Sequence, residues 1–208
     1  MRRPSALLFL TLLAAPATAQ DLQRPEGWNV RLDRPNMTEA DIEQFVAMPP
    51  GWHITTGHAA GIFYDPKMTA SGEYTMSVKI HLFDPGERHR EAYGVFFGGS
   101  DLQGEGQRYS YFLLRDTGEF IVKQRVGAEA PTVVGWTAND AIKKFAGQGS
   151  VPNVLEVRVG ADSVRFFVNG QHATSVAKSR LSTDGVYGLR LNHALNVHVE
   201  PFEVKQGR

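Results

Sequence analysis

Hydrophobic and polar residues alternate along most of the chain beyond Trp52. In Tyr74 to Leu82, YTMSVKIHL, residues Tyr74, Met76, Val78, Ile80 and Leu82 share one parity, and Thr75, Ser77, Lys79 and His81 share the other. A period of two predicts a strand with one buried face. The stretch Tyr109 to Arg125, YSYFLLRDTGEFIVKQR, holds two alternating runs split by Asp116-Thr117-Gly118, the form of a β-hairpin. With Phe112, Leu114, Phe120 and Val122 turned inward, Tyr109, Tyr111, Leu113, Arg115, Ile121, Lys123 and Arg125 fall on the outer side. Further strands are predicted at Trp52 to Thr55, Ala60 to Tyr64, Ala92 to Gly98, Val133 to Thr137, Val154 to Val159, Ser163 to Val168, Gln171 to Val176, Tyr187 to Asn192 and Asn196 to Val204. Asn169-Gly170 is the strongest turn signal, because a type I′ hairpin turn needs positive φ at both central positions. Pro201 marks an edge or a bulge.

Helical patterns are few and short. Thr38-Glu39-Ala40-Asp41 opens one that runs through Ile42, Phe45 and Val46 to Pro49-Pro50-Gly51, with Thr38 placed to cap it. Asn139 starts another, DAIKKF. The lack of long helices argues against a βαβ architecture. About eleven short strands with regular turn signals indicate an all-β sandwich or barrel. The chain divides into 1–19, 20–51 and 52–205. The first piece has Arg2 and Arg3, an apolar run from Ala6 to Ala15 and an A-x-A site at Ala17 to Ala19. It reads as a bacterial secretory signal peptide cleaved near Ala19. The second is an irregular lead-in with a short helix, in which Trp28 and Val30 suit an edge strand. The third is one domain.

Composition narrows the picture. The formal net charge is zero, so no basic patch argues for nucleic acid or an anionic membrane. There is no cysteine, which removes disulfides and thiol chemistry. No segment after the signal is long and apolar enough to span a bilayer. The expected destination is the periplasm or the outside of the cell.

The succession GWHITTGHAAGIFYDP, GEYTMSVKIHLFD, EAYGVFFGG, YFLLRDTGEFIVK, NVLEVRVGADSVRFFVNGQ and DGVYGLRL resembles a concanavalin A-like lectin/glucanase jelly roll. It is closest in style to LamG-like domains and to the 3-keto-disaccharide hydrolase family. The resemblance covers roughly residues 50 to 205. It implies an antiparallel two-sheet sandwich whose concave sheet binds carbohydrate. It also raises calcium as a cofactor, with Asp101 and Glu105 in the Gly98 to Gly106 loop as oxygen donors.

Catalytic signatures are absent. No E-x-D-x-(x)-E run places two carboxylates on one strand face for glycoside hydrolysis. The histidines form neither H-E-x-x-H nor H-x-H, and there is no G-x-S-x-G elbow. His193 and His198 meet His81 only if their strands are neighbours. The outer parity of the predicted strands collects His81, Tyr109, Tyr111, Arg115, Lys123, Arg125, Arg190, Asn192 and His198. Trp136 stands nearby in sequence. Rings match the apolar faces of sugars, and fixed donors match their hydroxyl edges. If these strands share a sheet, the set lines one glycan-binding face, and Tyr111 and Arg115 are replaceable with little effect on stability. The expected function is a secreted carbohydrate- or glycan-binding module without catalysis. The alternatives are a periplasmic glycoside-processing hydrolase of the 3-keto-disaccharide type and an envelope structural or protein-interaction domain.

Overall fold

The computed structural model describes residues 23–86 and 90–207; the signal segment lies outside them. Among the described residues the strands are β1 (Asn29–Leu32), β2 (Gln44–Met48), β3 (Gly51–Thr55), β4 (Gly61–Tyr64), β5 (Thr69–Ala70), β6 (Tyr74–Phe83), β7 (Ala92–Ser100), β8 (Arg108–Arg115), β9 (Glu119–Val126), β10 (Thr132–Ala138), β11 (Ser150–Val159), β12 (Ser163–Val168), β13 (Gln171–Ala177), β14 (Gly185–Leu191), β15 (Asn196–Val199) and β16 (Glu203–Gln206). They form two antiparallel sheets. The first runs β1-β4-β14-β7-β8-β9-β10, with β5 against β14; the second runs β13-β12-β11-β6-β15-β3-β2, with β16 against β6.

The core lies where the inner parities meet. Tyr74, Met76, Val78, Ile80 and Leu82 of β6 are all buried, as are Phe112, Leu114, Phe120 and Val122 of the β8–β9 hairpin. Phe112 and Phe166 join the sheets with ring centroids 5.1 Å apart. Gly118 (φ 87°) closes the β8–β9 loop, and Asn169 (φ 50°) and Gly170 (φ 80°) close β12–β13 as the turn chemistry demands. The chain ends of the domain pair: Trp52 on β3 lies opposite Val199 on β15. Pro201 separates β15 from β16, and both strands lie along β6.

Two helical expectations are corrected. After Thr38 only a 3-10 turn forms, Glu39–Asp41. The Asp41 carboxylate accepts from the Thr38 N–H at 2.7 Å, but the following residues enter β2, where Phe45 is opposite Ile54 and packs edge-on against Trp28 and Phe63. Sheet pairing and aromatic burial outweigh a short amphipathic pattern. The lead-in is therefore structured, supplying β1 and β2 at the edges of the two sheets. The DAIKKF segment is likewise a turn and an irregular stretch. Ala141 N–H donates to the Asn139 side chain and Ile142 N–H to the Asn139 carbonyl, while Lys143 N–H goes to Asn153 and Phe145 N–H to Asp116.

Candidate functional site

The outer face of the first sheet carries a second apolar layer. Ile62 and Tyr64 of β4, Ala92 and Phe96 of β7, Tyr109, Tyr111 and Leu113 of β8 and Ile121 of β9 form one buried cluster with Leu102. The Tyr64 and Phe96 rings meet edge-on at 6.0 Å. Between them β14 presents Gly188, where a Cβ would come within 2.8 Å of the Phe96 ring and 2.5 Å of the Phe63 carbonyl oxygen. The loop after β7 folds over this layer. Arg31 on β1 donates to the carbonyls of Leu102 and Gly104, at 3.0 and 2.7 Å, and Gln103 donates to the Tyr64 hydroxyl at 2.7 Å.

Charged groups are set into this layer. Arg190 on β14 is only 8% exposed. Its guanidinium donates to Asp33 at 2.6 Å and to the carbonyls of Gly61 and Leu191, and lies 5.8 Å from the Tyr111 ring centre. Burial works against its charge, but Asp33 and the hydroxyls of Tyr109 and Tyr111 outweigh that effect, so its pKa rises. Burial is also the main cause of the raised values of Tyr109 and Tyr111, the latter pushed up to about 12. Arg125 is opposite Tyr109 on β9, and Lys123 is opposite Tyr111.

At one end of the face a cleft of about 600 Å³ opens beside Arg190. Asp33, Glu91, His58, Asn192 and His193 line it. Glu91 accepts from the Asn192 amide at 3.0 Å and faces His193 at 3.3 Å. The cleft thus offers a guanidinium, carboxylates, an amide and imidazoles, a mixed set of donors and acceptors suited to a hydroxyl-rich molecule.

The sequence-derived candidates are distributed as follows. Tyr109, Tyr111, Arg115, Lys123, Arg125 and Arg190 share the outer face of the first sheet; Asn192 sits in the cleft at its end. Trp136 joins them from β10, 40% exposed, with the Arg115 guanidinium 4.0 Å from its ring centre. Arg115 is also paired with Glu119 at 2.6 Å, and the Thr117 hydroxyl and Arg115 hold the Glu119 carboxyl below its usual range. His81 and His198 do not belong to this face. Their strands, β6 and β15, are in the second sheet, so the expectation of a single shared face is corrected for these two. They meet each other there, with ring centres 6.0 Å apart, whereas His193 is in the cleft of the first sheet. Sequence reasoning missed Asp33, His58 and Glu91, which stand in loops or just before a strand, where parity carries no signal.

Asp101 and Glu105, the oxygen donors expected for calcium, lie in the loop that follows β7. The Asp101 carboxylate turns back on its own loop to accept the Gly106 N–H at 3.0 Å. Glu105 is exposed. Among the described residues no group of three or more His, Asp or Glu side chains could hold a metal ion.

No protein-family model matches the chain, and no curated protein matches it in sequence. Solved structures do match. A carbohydrate-binding module, CBM66 from Bacillus subtilis, is similar with a TM-score of 0.61 and 12% identity over 86% of this chain and 96% of that one. The fold is that of an antiparallel two-sheet sandwich of the jelly-roll kind. A Bacillus subtilis protein of unknown function with a galectin-like fold matches at TM-score 0.63 and 13% identity, over 86% of this chain and 89% of that one. The exoplasmic/lumenal domain of VIP36 in its Ca²⁺/Man-bound form matches at 0.56 and 8%, over 87% and 83%. At such identities the likeness is one of fold. No helix among the described residues is long and apolar enough to cross a membrane.

Proposed function

We propose that the chain is an exported carbohydrate-binding module without chemistry of its own, and that it holds its ligand on the outer face of the first sheet and in the cleft at its end. The observation that carries this reading is the cleft beside Arg190, where a buried, ion-paired guanidinium stands with Asp33, Glu91 and Asn192 in one polar recess. Sugar hydroxyls both donate and accept, and a rigid set of such partners selects among their orientations. The fold adds support, since CBM66 is by name a carbohydrate-binding module and VIP36 is described with mannose bound. Export rests on the basic and apolar segment ahead of Gln20. In a glycan array probed with the full chain, we expect retention on a defined subset of glycans. Asn192→Ala and Glu91→Gln should each weaken it roughly tenfold, the loss of one hydrogen bond to a charged or fixed partner. Retention no greater than on a blank surface for every glycan would sink the reading.

A second reading is favoured by one feature of the same cleft. Arg190, Glu91, His58 and His193 line it together, the combination of guanidinium, carboxylate and imidazole that a glycoside-processing hydrolase of the 3-keto-disaccharide type would use. Release of the free sugar from a 3-keto-glycoside, abolished by Glu91→Gln, would establish it. A product yield equal to the enzyme-free control would reject it.

A further inference from the structure

We propose that the chain reads its glycan along its length and not at a terminal sugar: a run of three adjoining depressions beside β1 holds three or more consecutive units of an oligosaccharide. The proposal rests on the glycan-binding reading above and adds the class of ligand, an extended chain.

The cleft beside Arg190 is the first of the three. A second depression, of about 300 Å³, lies along β1, the edge strand of the first sheet, and a third, of about 350 Å³, lies at the start of that strand. They adjoin one another. Arg34 and Met37 line both the cleft and the second depression, and Gln103 lines both the second and the third. The alternation of β1 sets their spacing. Val30 packs against the core, so Asn29, Arg31 and Asp33 share the opposite parity; Asp33 prolongs the strand by donating its N–H to the Ala60 carbonyl at 2.8 Å. Asn29 lies in the third depression, Arg31 in the second and Asp33 in the cleft. Alternate residues of a strand are roughly 6.5 Å apart, so the run from Asn29 to Asp33 covers roughly 13 Å. One sugar ring is too short to touch both ends. On β14 the same interval recurs: Val186 lines the third depression and Arg190, four positions on, the cleft.

The run is open to solvent and has polar groups to spare. Asn29, Arg34, Pro66 and Gln103 are exposed. The side chains of Asn29 and Arg34 make no hydrogen bond among the described residues. Arg31 engages the loop carbonyls through Nη1 only, and Asp33 engages Arg190 through Oδ2 only. Each depression therefore holds a donor or acceptor that a hydroxyl can use. Pro66 and Val186 add an apolar wall to the third, where the C–H face of a ring fits. Arg31 and Arg34 stand along the run with Asp33 and Glu39, so neither sign of charge prevails and a neutral chain is suited to it.

The test varies the length of the sugar chain. Ladders of one to six units from cellulose, xylan, mannan and β-1,3-glucan, and from any further series retained on the glycan array, are titrated into the full chain by calorimetry. Within a bound series we expect affinity to rise about tenfold or more from the disaccharide to the tetrasaccharide, as the second and third depressions fill. The variant Asn29→Ala/Gln103→Ala, altered at two exposed positions at the far end of the run, should lower the hexasaccharide-to-disaccharide affinity ratio about tenfold, the effect of one or two lost hydrogen bonds. Asn192→Ala, altered in the cleft, should weaken both lengths alike and leave that ratio unchanged. Affinity already complete at one or two sugars, or a ratio untouched by the double variant, would overturn the extended groove and leave glycan binding intact. Binding in none of the ladders, together with an empty array, would overturn both.

Discussion

Tyr111 shows how far parity carries at a single position. Alternation correctly turns it away from the core between the sheets, but it cannot reveal that a second layer waits there. Tyr111 is only 6% exposed and Tyr109 2%, because Phe96, Leu102 and their neighbours cover them. The expectation that Tyr111 can be truncated with little effect on stability is accordingly reversed. Tyr111→Ala should destabilise the fold by about 2–4 kcal/mol, in the range of other large-to-small changes at buried sites, whereas Tyr111→Phe keeps the ring and tests the hydroxyl alone. Urea unfolding of both variants checks this; equal midpoints for the alanine variant and the parent would mean that the layer is not packed. Asn153 is a second case that only coordinates disclose. It is fully buried, donates to the Tyr93 hydroxyl and the Lys143 carbonyl, and accepts from the Lys143 N–H and the Asn169 amide. All four of its bonds cross to other segments. Asn153→Ala should cost about 2–4 kcal/mol, because each buried partner left unpaired carries about 1–3 kcal/mol and some of them can recover water. A loss below ~1 kcal/mol in the same denaturation assay would show that water replaces the amide.

Strands and hairpins were legible wherever local chemistry and tertiary need agree. YTMSVKIHL became β6 with its alternation intact, and the Asn169-Gly170 and Asp116-Thr117-Gly118 turns stand where their residues put them. The lead-in was legible in part: the edge strand expected around Trp28 and Val30 is β1 at the end of the first sheet, whereas β2 gains its identity from β3 across a turn and not from its own pattern. Pairing between elements also creates a feature no single stretch announces. His53 on β3, His198 on β15 and His81 on β6 stand opposite one another in a single row across three strands. Glu200 accepts from His81 and Lys79, both at 2.9 Å. His53 and His198 are held below the ordinary imidazole pKa, chiefly by burial; for His198 the neighbouring imidazoles add to it. The unfolded chain, with values near 6.5, then binds protons that the folded chain refuses as pH falls. Stability from this pair is complete above that value and declines below it, levelling once the folded-state values are passed. The melting temperature should therefore drop between pH 7.5 and 5, above the range in which carboxylates titrate. The drop should shrink in a His53→Gln/His198→Gln variant. An unchanged slope in that variant would assign the effect to other groups.

At the scale of the whole molecule the decisive fact is which sheet each strand joins, and no local pattern states it. Consecutive strands β7 to β10 stay in the first sheet and β11 to β13 in the second, but β14 and β15, neighbours in sequence, part to opposite sheets. That single crossing carries Arg190 and Asn192 to one side of the sandwich and His198 to the other. It also separates two surfaces that the sequence merges into one: the guanidinium and tyrosine face with its cleft, and the histidine row. The Asp33–Arg190 pair spans 157 positions, so the site exists only once β1 has closed the edge of the first sheet against β4. Ligand binding should follow the sheets and not the list of polar residues. Since the two outer faces lie on opposite sides of a packed core, substitutions on one should not reach a ligand on the other unless they disturb the fold. A His81→Gln/His198→Gln variant with a parental melting temperature at pH 7.5 should bind a retained glycan as the parent does. Asn192→Ala, equally well folded, should bind it about tenfold more weakly. The reverse pattern, binding lost with the histidines and kept without Asn192, would place the ligand on the second sheet and make the histidine row the site.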